Sequence, residues 1–340
     1  MAVATKTLTY REAINEAMRL EMERDPTVVI MGEDVAGGAS LAGFEREDAW
    51  GGVLGVTKGL VQQFGRERVL DTPISESGYI GAAVGAASTG LRPVAELMFI
   101  DFIGVCLDPL LNQAAKLRYM FGGKARVPLT VRTSTGAGLR SAAQHSQSLY
   151  WMTTGIPGLK TVIPSNPADA KGLLLAAIRD DDPVVFCEPK SLMFVSGPVR
   201  EGDYTVPLGK AALVREGSDV SLVGFGRTVQ TALQAAELLA RDGVSAEVLD
   251  LRSLQPLDEE AVLTTLGRTG RLVVVDEAPP RCGIASDVAA LCVGKGFDLL
   301  NAPVRRVTAP HAPVPFSPVL EDAYLPSAEA VVAAARAQLG

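Results

Sequence analysis

The chain has 340 residues, with 39 acidic against 32 basic side chains and a net charge of −7. At about 150 residues per domain the length fits two domains, and 47% hydrophobic with 21% charged residues exclude a disordered or collagen-like chain. The acidic balance excludes the phosphate-driven affinity of a nucleic-acid binder, and the absence of an apolar run of about 18 residues argues against a membrane span. The segment Met1 to Tyr10 lacks the apolar block of a secretory signal. The four cysteines form no CxxC pair and only two histidines accompany them, so free thiols in a reducing cytoplasm are expected rather than a zinc site.

Thr9-Tyr-Arg-Glu12 is a capping box and predicts a helix running toward Glu23. Val28 to Met31 reads as a buried strand, followed by a glycine-rich stretch from Gly37 to Gly59. Long loops of that kind in compact domains are often functional. Val69-Leu70 leads into the turn Asp71-Thr-Pro-Ile-Ser75 and then a helix carrying Gly78, Gly81 and Gly85 on one face. Such a face suits a subunit contact or close packing within the domain. Strands are expected at Val94 to Phe99, Val127 to Arg132, Leu159 to Ile163 and Pro183 to Phe186, with helices at Phe102 to Met120 and from Asn166-Pro167 onward. In the latter, Asn caps and Pro takes the first helical position.

Residues 190 to 209, bordered by Pro189 and holding Pro198, Pro207 and several glycines, break this rhythm and predict a linker over 191–207. A second unit follows, with strands at Val220 to Val223, Val248 to Leu251, Leu272 to Val275 and Val304 to Val307. Its helices are Thr228 to Arg241, Leu257 to Leu266, Ala285 to Val293 and Ser327 to Leu339. Short apolar strands between helices predict α/β domains with parallel sheets covered on both faces, over 1–190 and 208–340.

Three places carry chemistry. Gly224-Phe-Gly226 opens a helix after a strand, with Asp250 at the end of the next strand, like the start of a dinucleotide fingerprint. Val229 replaces the third glycine, where a branched side chain hinders helix–strand packing, so a simple tight turn is preferred. Glu76 stands at a strand-to-helix junction beside small apolar residues. Burial there would raise its pKa for proton exchange, although a carboxylate also simply favours a helix N-terminus. His145, flanked by Gln144 and Gln147, has the pKa for proton transfer near neutrality or serves as a hydrogen-bonded structural residue. Ser146 lacks a GxSxG elbow, so a hydrolase triad is not supported.

Asp71-Thr-Pro-Ile-Ser-Glu76 with Gly81-Ala-Ala-Val-Gly85 resembles the beta subunit of thiamine-diphosphate-dependent 2-oxo acid dehydrogenases. Gly90-Leu-Arg-Pro93, Ala143-Gln-His-Ser-Gln147, Pro157-Gly-Leu-Lys160 and Asp169-Ala-Lys-Gly-Leu173 extend the resemblance over nearly the whole chain. Gly32-Glu-Asp-Val-Ala-Gly37, Trp50-Gly-Gly-Val-Leu-Gly-Val-Thr57, Tyr119-Met-Phe-Gly-Gly-Lys124 and Pro310-His-Ala-Pro-Val-Pro-Phe-Ser317 look most like acetoin dehydrogenase beta subunits. Pyruvate and branched-chain dehydrogenase beta subunits are near relatives.

The resemblance implies a pyrimidine-type thiamine-diphosphate domain followed by a transketolase C-terminal-like domain. It implies that Glu76 hydrogen-bonds the cofactor's aminopyrimidine, favouring the tautomer whose nitrogen takes the thiazolium proton. Glu33 matches a second carboxylate near the cofactor and Phe102 an aromatic position beside it. His145 matches a histidine that orients substrate and assists proton transfer or lipoyl acylation. Leu129, Ala177, Ile178, Asp180 and Asp182 match positions that hold potassium in some members, with Asp182 standing where some relatives carry Asn.

The chain contains no GDG sequence, the family's magnesium and diphosphate motif. By resemblance that motif, with Mg2+, belongs to a separate alpha subunit. The implied assembly is two alpha and two beta chains that cleave a bond next to a carbonyl, in acetoin or a 2-oxo acid. The acyl group then passes to a lipoyl-bearing acyltransferase. A stand-alone transketolase or deoxyxylulose-phosphate synthase would carry the diphosphate domain in the same chain. A non-catalytic assembly protein would not need both Glu76 and His145.

Overall fold

The computed structural model describes residues 4–37 and 50–340; residues 38–49 of the glycine-rich stretch, and the first three, lie outside the described residues. Strand β1 (Thr5–Thr9) runs into α1 (Tyr10–Arg24), where Thr9 caps and the Glu12 carboxylate accepts the Thr9 N–H at 2.8 Å. The capping box is therefore formed as the sequence predicts. β2 (Val28–Gly32), α2 (Leu60–Phe64), β3 (Val69–Asp71), α3 (Glu76–Ser88) and β4 (Arg92–Phe99) follow.

The helix expected over 102 to 120 is not continuous. It is a 3-10 turn at Ile100–Gly104, a π turn at Pro109–Ala114 and α4 (Ala115–Met120). Pro109 has no N–H to give Val105, whose carbonyl instead accepts the Ser77 hydroxyl. Gly104 further weakens the helix. β5 (Thr130–Thr135) begins later than expected, with Pro128 excluded from the ladder.

α5 (Trp151–Thr154), β6 (Lys160–Val162), α6 (Pro167–Arg179) and β7 (Val184–Pro189) complete the first rhythm, with Asn166 accepting the Asp169 N–H as N-cap. The stretch expected as a linker holds β8 (Ser196–Arg200), which pairs antiparallel with β1 and ties the start of the chain to it. Beyond it come β9 (Ala212–Arg215), β10 (Val220–Gly224), α7 (Arg227–Arg241), β11 (Ala246–Asp250), β12 (Ser253–Gln255) and α8 (Glu259–Thr269). β13 (Leu272–Asp276), α9 (Ile284–Lys295), β14 (Arg305–Thr308), α10 (Pro318–Tyr324) and α11 (Ala328–Leu339) end the chain.

Within the described residues the larger sheet has seven strands in the order β12-β6-β7-β5-β4-β2-β3, parallel except for β12. The smaller sheet has five, β14-β13-β10-β11-β9, parallel except for β9. The molecule is thus an α/β fold built on two mainly parallel sheets, with β1 and β8 as a separate two-stranded antiparallel sheet. β12 comes from the second half yet edges the first sheet, a crossing that strand periodicity did not predict. Register places Gly32 beside both Glu96 and Asp71. A Cβ on Gly32 would meet the Glu96 Cβ at 2.9 Å, so only glycine lets those strand ends close together.

One apolar cluster packs each outer layer, and the largest spans both halves. In it Val223, Phe225, Leu249 and Leu251 meet Leu97, Tyr150, Ile163 and Val185. Phe225 packs edge-on against Tyr150 at 5.4 Å between centroids. The carboxyl ends of β10, β11 and β13 therefore face the first sheet, where apolar packing is joined by hydrogen bonds from Ser165 to Asp250 and from Tyr150 to Asp276.

Candidate active site

The carboxyl ends of parallel strands form the crevice where open α/β sheets bind ligands. Neighbouring strands β7, β5, β4, β2 and β3 end there, and each delivers polar or aromatic side chains. Glu33 follows β2, while Thr72 and then Glu76 follow β3. Phe99, Asp101 and Phe102 close β4, the loop to His145 leaves β5, and Lys190 follows β7.

Glu76 lies in the first turn of α3 and is 7% exposed. Tyr79 sits one turn on, so the two share a helix face. Burial first, then the carboxylates of Glu76, Asp34 and Glu96, push the Glu33 carboxyl above its ordinary range. Burial and the carboxylates of Glu33 and Glu76 likewise push the Tyr79 phenol well up. Glu33 Oε1, Thr72 Oγ1 and the Tyr79 hydroxyl are buried without a hydrogen-bond partner among the described residues. Buried polar atoms are normally satisfied, so this cluster suits a bound group bearing both donors and acceptors.

Cys106 joins this cluster to the aromatic one. Burial, then Glu76, raises its thiol to about 12, and its sulfur lies 3.9 Å from the Phe102 carbonyl. The His145 ring stands edge-on to Phe99 and Phe102, at 5.0 and 5.4 Å between centroids. The Lys190 ammonium, buried with its side chain, donates to the His145 carbonyl and lies 5.1 Å from the Phe99 ring centroid. Burial lowers its pKa against the opposing pull of Asp101, Glu277 and Glu321.

The chain matches the family model for the transketolase pyrimidine binding domain over residues 6–195 and for the transketolase C-terminal domain over 209–331. It is 63% identical to the beta subunit of acetoin:2,6-dichlorophenolindophenol oxidoreductase from Bacillus subtilis, over 98% of both chains. Identity is 58% to the same subunit from Cupriavidus necator, over 97% of both. It is 43% to the 2-oxoisovalerate dehydrogenase beta subunit of Bacillus subtilis, over 97% of this chain and 98% of that one. The chain belongs to the family of dehydrogenase beta subunits built on the two transketolase domains. A solved structure of a split gene transketolase, an inactive beta4 tetramer, shares this beta-subunit fold with a TM-score of 0.77 over 98% of both chains at 23% identity.

In this beta subunit Glu33, Glu76, Phe102 and His145 all gather at one end of the large sheet. Leu129, Ala177, Ile178, Asp180 and Asp182 gather at the opposite, amino end. There Arg92 donates to the Ile178 and Asp180 carbonyls at 3.1 and 3.0 Å, and Val184 to Leu129 at 2.9 Å. Lys160 pairs with Asp180 at 2.7 Å and Arg118 with Asp182 at 2.8 Å. The carbonyls keep a second lone pair for a hard cation, whereas both carboxylates already hold cationic partners.

The tight turn at Gly226 is present, with φ +51°, and a Cβ there would meet Ile163 and Pro189 side chains within 3.0 Å. Asp250 is buried and accepts from the Ser165 hydroxyl and the Arg252 N–H. Protein therefore fills the place a dinucleotide would need. Sequence reading did not single out Tyr79, Thr72, Asp101 or Lys190. The spacing of Tyr79 three positions after Glu76 was a usable signal; Lys190 was hidden at the edge of the expected linker.

Proposed function

We propose that this chain is the beta subunit of a thiamine-diphosphate-dependent enzyme that cleaves acetoin and passes the acetyl group to a lipoyl-bearing acyltransferase. The observation that carries the reading is the identity gap, 63% and 58% to acetoin-linked beta subunits against 43% to the 2-oxoisovalerate relative. The cleavage of acetoin between its oxygen-bearing carbons leaves acetaldehyde and an acetyl unit. Oxidative decarboxylation of pyruvate or a branched-chain 2-oxo acid is the second reading, supported by relatives at 43% and 41%. A non-catalytic assembly role sits poorly with buried groups on Glu33, Thr72 and Tyr79 that find no hydrogen-bond partner among the described residues.

Thiamine diphosphate, when bound, supplies a nucleophilic carbon and an electron sink for the cleavage. Glu76 would hold the aminopyrimidine through its buried carboxylate. Glu33, whose carboxyl burial holds above its ordinary range, would add a second carboxyl group beside it. Phe102 offers an apolar wall, and His145 offers an imidazole for proton transfer at substrate oxygen, its ring fixed between two aromatic edges.

The chain lacks a GDG sequence, so the diphosphate and Mg2+ are assigned to an alpha subunit, in an assembly of two alpha and two beta chains. Gly78 and Gly85 are exposed, and a Cβ on Gly81 or Gly85 would meet nothing within 4 Å among the described residues beyond its chain neighbours and its own helix backbone. That leaves the small face of α3 free for the partner. A potassium ion, if bound, would rest on the carbonyls of Leu129, Ala177 and Ile178, with Asp180 and Asp182 retained by Lys160 and Arg118. Cys106, Cys187, Cys282 and Cys292 are all free thiols, which suits a cytoplasmic complex. No helix among the described residues is long and apolar enough to cross a membrane.

Co-expression with the alpha partner tests the reading. Reduction of an artificial electron acceptor should be fastest with acetoin. Faster reduction with pyruvate or a branched-chain oxo acid would reassign the substrate.

A further inference from the structure

The loop between β5 and α5 carries His145 and has an unusual set of anchors. It opens through Gly136 and Gly138 at φ +83° and +110°, and then holds Arg140 and Ala142, neither a glycine, at φ +57° and +59°. Non-glycine residues in that region cost free energy and persist only where surroundings impose them. The surroundings here come largely from the second half of the chain.

Glu277, just after β13, accepts the Ala137 N–H at 2.6 Å. Glu321, on α10 and fully buried, accepts the Gly138 N–H at 2.9 Å and the Arg140 N–H at 3.2 Å, and pairs with the Arg140 guanidinium at 2.6 Å. Hydrogen bonds from backbone amides to a carboxylate are short and strong. The far limb is held from the first sheet. Asp101 accepts both the backbone and side-chain N–H of Gln147 at 3.0 Å, and Lys190 donates to the His145 carbonyl. A Cβ at Gly136 would meet the Glu277 carboxylate at 2.7 Å, so the fit between loop and carboxylate is tight.

We propose that Glu277 and Glu321 are positioning residues through which the second domain sets the backbone of 136–147 and with it the His145 imidazole. They touch no reacting atom. Their action passes through the loop, so the domain that lies outside the pyrimidine-binding sheet controls one side of the site. This rests on the reading of His145 as a residue that acts on substrate.

The test uses the chain co-purified with its alpha partner, carrying Glu277→Gln or Glu321→Gln, each alone and combined with His145→Ala. Hydrogen–deuterium exchange is read on a peptide spanning 136–147 and on one spanning 220–224 as control. The first peptide should exchange faster in both single variants and the control should not change. Acetoin turnover should fall on the order of tenfold or more, the scale expected when a reacting group is misplaced, with the KM little changed. In the His145→Ala background the same substitutions should cause no further loss. If Glu321→Gln does not fold, Arg140→Met removes the guanidinium part of the tie from a side chain that is one-third exposed, and should give a smaller change in the same direction. Unchanged exchange over 136–147 would overturn the positioning role while leaving His145 in place. An equal fold loss with and without His145 would also overturn it. Unchanged turnover in His145→Ala alone would remove His145 from the chemistry and the proposal with it.

Discussion

The carboxylate of Glu76 lies close enough to Glu33 to help hold the Glu33 carboxyl above its ordinary range, after burial has raised it. The two groups follow the neighbouring parallel strands β2 and β3, whose register sets Gly32 beside Asp71.

Glu76→Gln removes the anionic acceptor and keeps its shape. Proton exchange on the bound cofactor, followed by deuterium uptake in the assembled enzyme, should fall by on the order of a hundredfold or more. The melting temperature should stay near that of the wild type. Near-normal exchange would take Glu76 out of the catalytic role.

Arg132 is 1% exposed and bridges two carboxylates, Glu188 at 2.7 Å and Glu96 at 2.9 Å. Arg132→Met leaves the buried Glu188 and the partly buried Glu96 without their cation. Urea unfolding should report a loss of about 3–5 kcal/mol. A loss below about 1 kcal/mol, the scale of an exposed ion pair, would contradict the burial argument.

Burial raises Asp250 and Glu277 from the usual carboxylate range to about 7. Each then binds a proton in the folded state at pH values where the unfolded chain has lost it. Facing Glu277 are Arg227, Lys190, Asp276, Tyr150, Tyr324 and the Ala137 N–H; facing Asp250 are Ser165, Asp169 and Arg252. Stability contributed by these groups is therefore present at low pH and lost as pH rises through about 7. Asp250→Asn should make the unfolding free energy less steep between about pH 4 and 7, by up to about one proton. An unchanged slope would mean Asp250 ionises normally.

Gly81→Leu adds bulk where, among the described residues, a Cβ would meet nothing within 4 Å beyond its chain neighbours and its own helix backbone. The isolated chain should melt as the wild type does. Sedimentation of the co-expressed assembly should show lower mass or looser association. An unchanged mass at low protein concentration would remove this face from the interface.

What the sequence revealed follows from how local its signals were. The capping box at Thr9 and Glu12 and the Asn166-Pro167 start are formed as read, because each depends on residues within one turn. Glu76 was placed correctly at a helix start for the same reason. The broken helix after Phe102 depended on Pro109 together with a distant donor, Ser77, that claims the Val105 carbonyl. β12 pairs with β6 across some ninety residues of chain, and no short-range pattern encodes that. Lys190, Glu277 and Glu321 meet at the His145 loop only once both sheets are in place, so their role lay beyond periodicity and motif.

The central claim is that this chain is half of an acetoin-cleaving enzyme. The most direct measurement is acetoin-dependent reduction of 2,6-dichlorophenolindophenol by the purified chain, by its alpha partner, and by the two together, each supplied with thiamine diphosphate and Mg2+. The expected result is turnover by the pair and none by either chain alone. Robust turnover by a preparation rigorously free of the alpha subunit would contradict it.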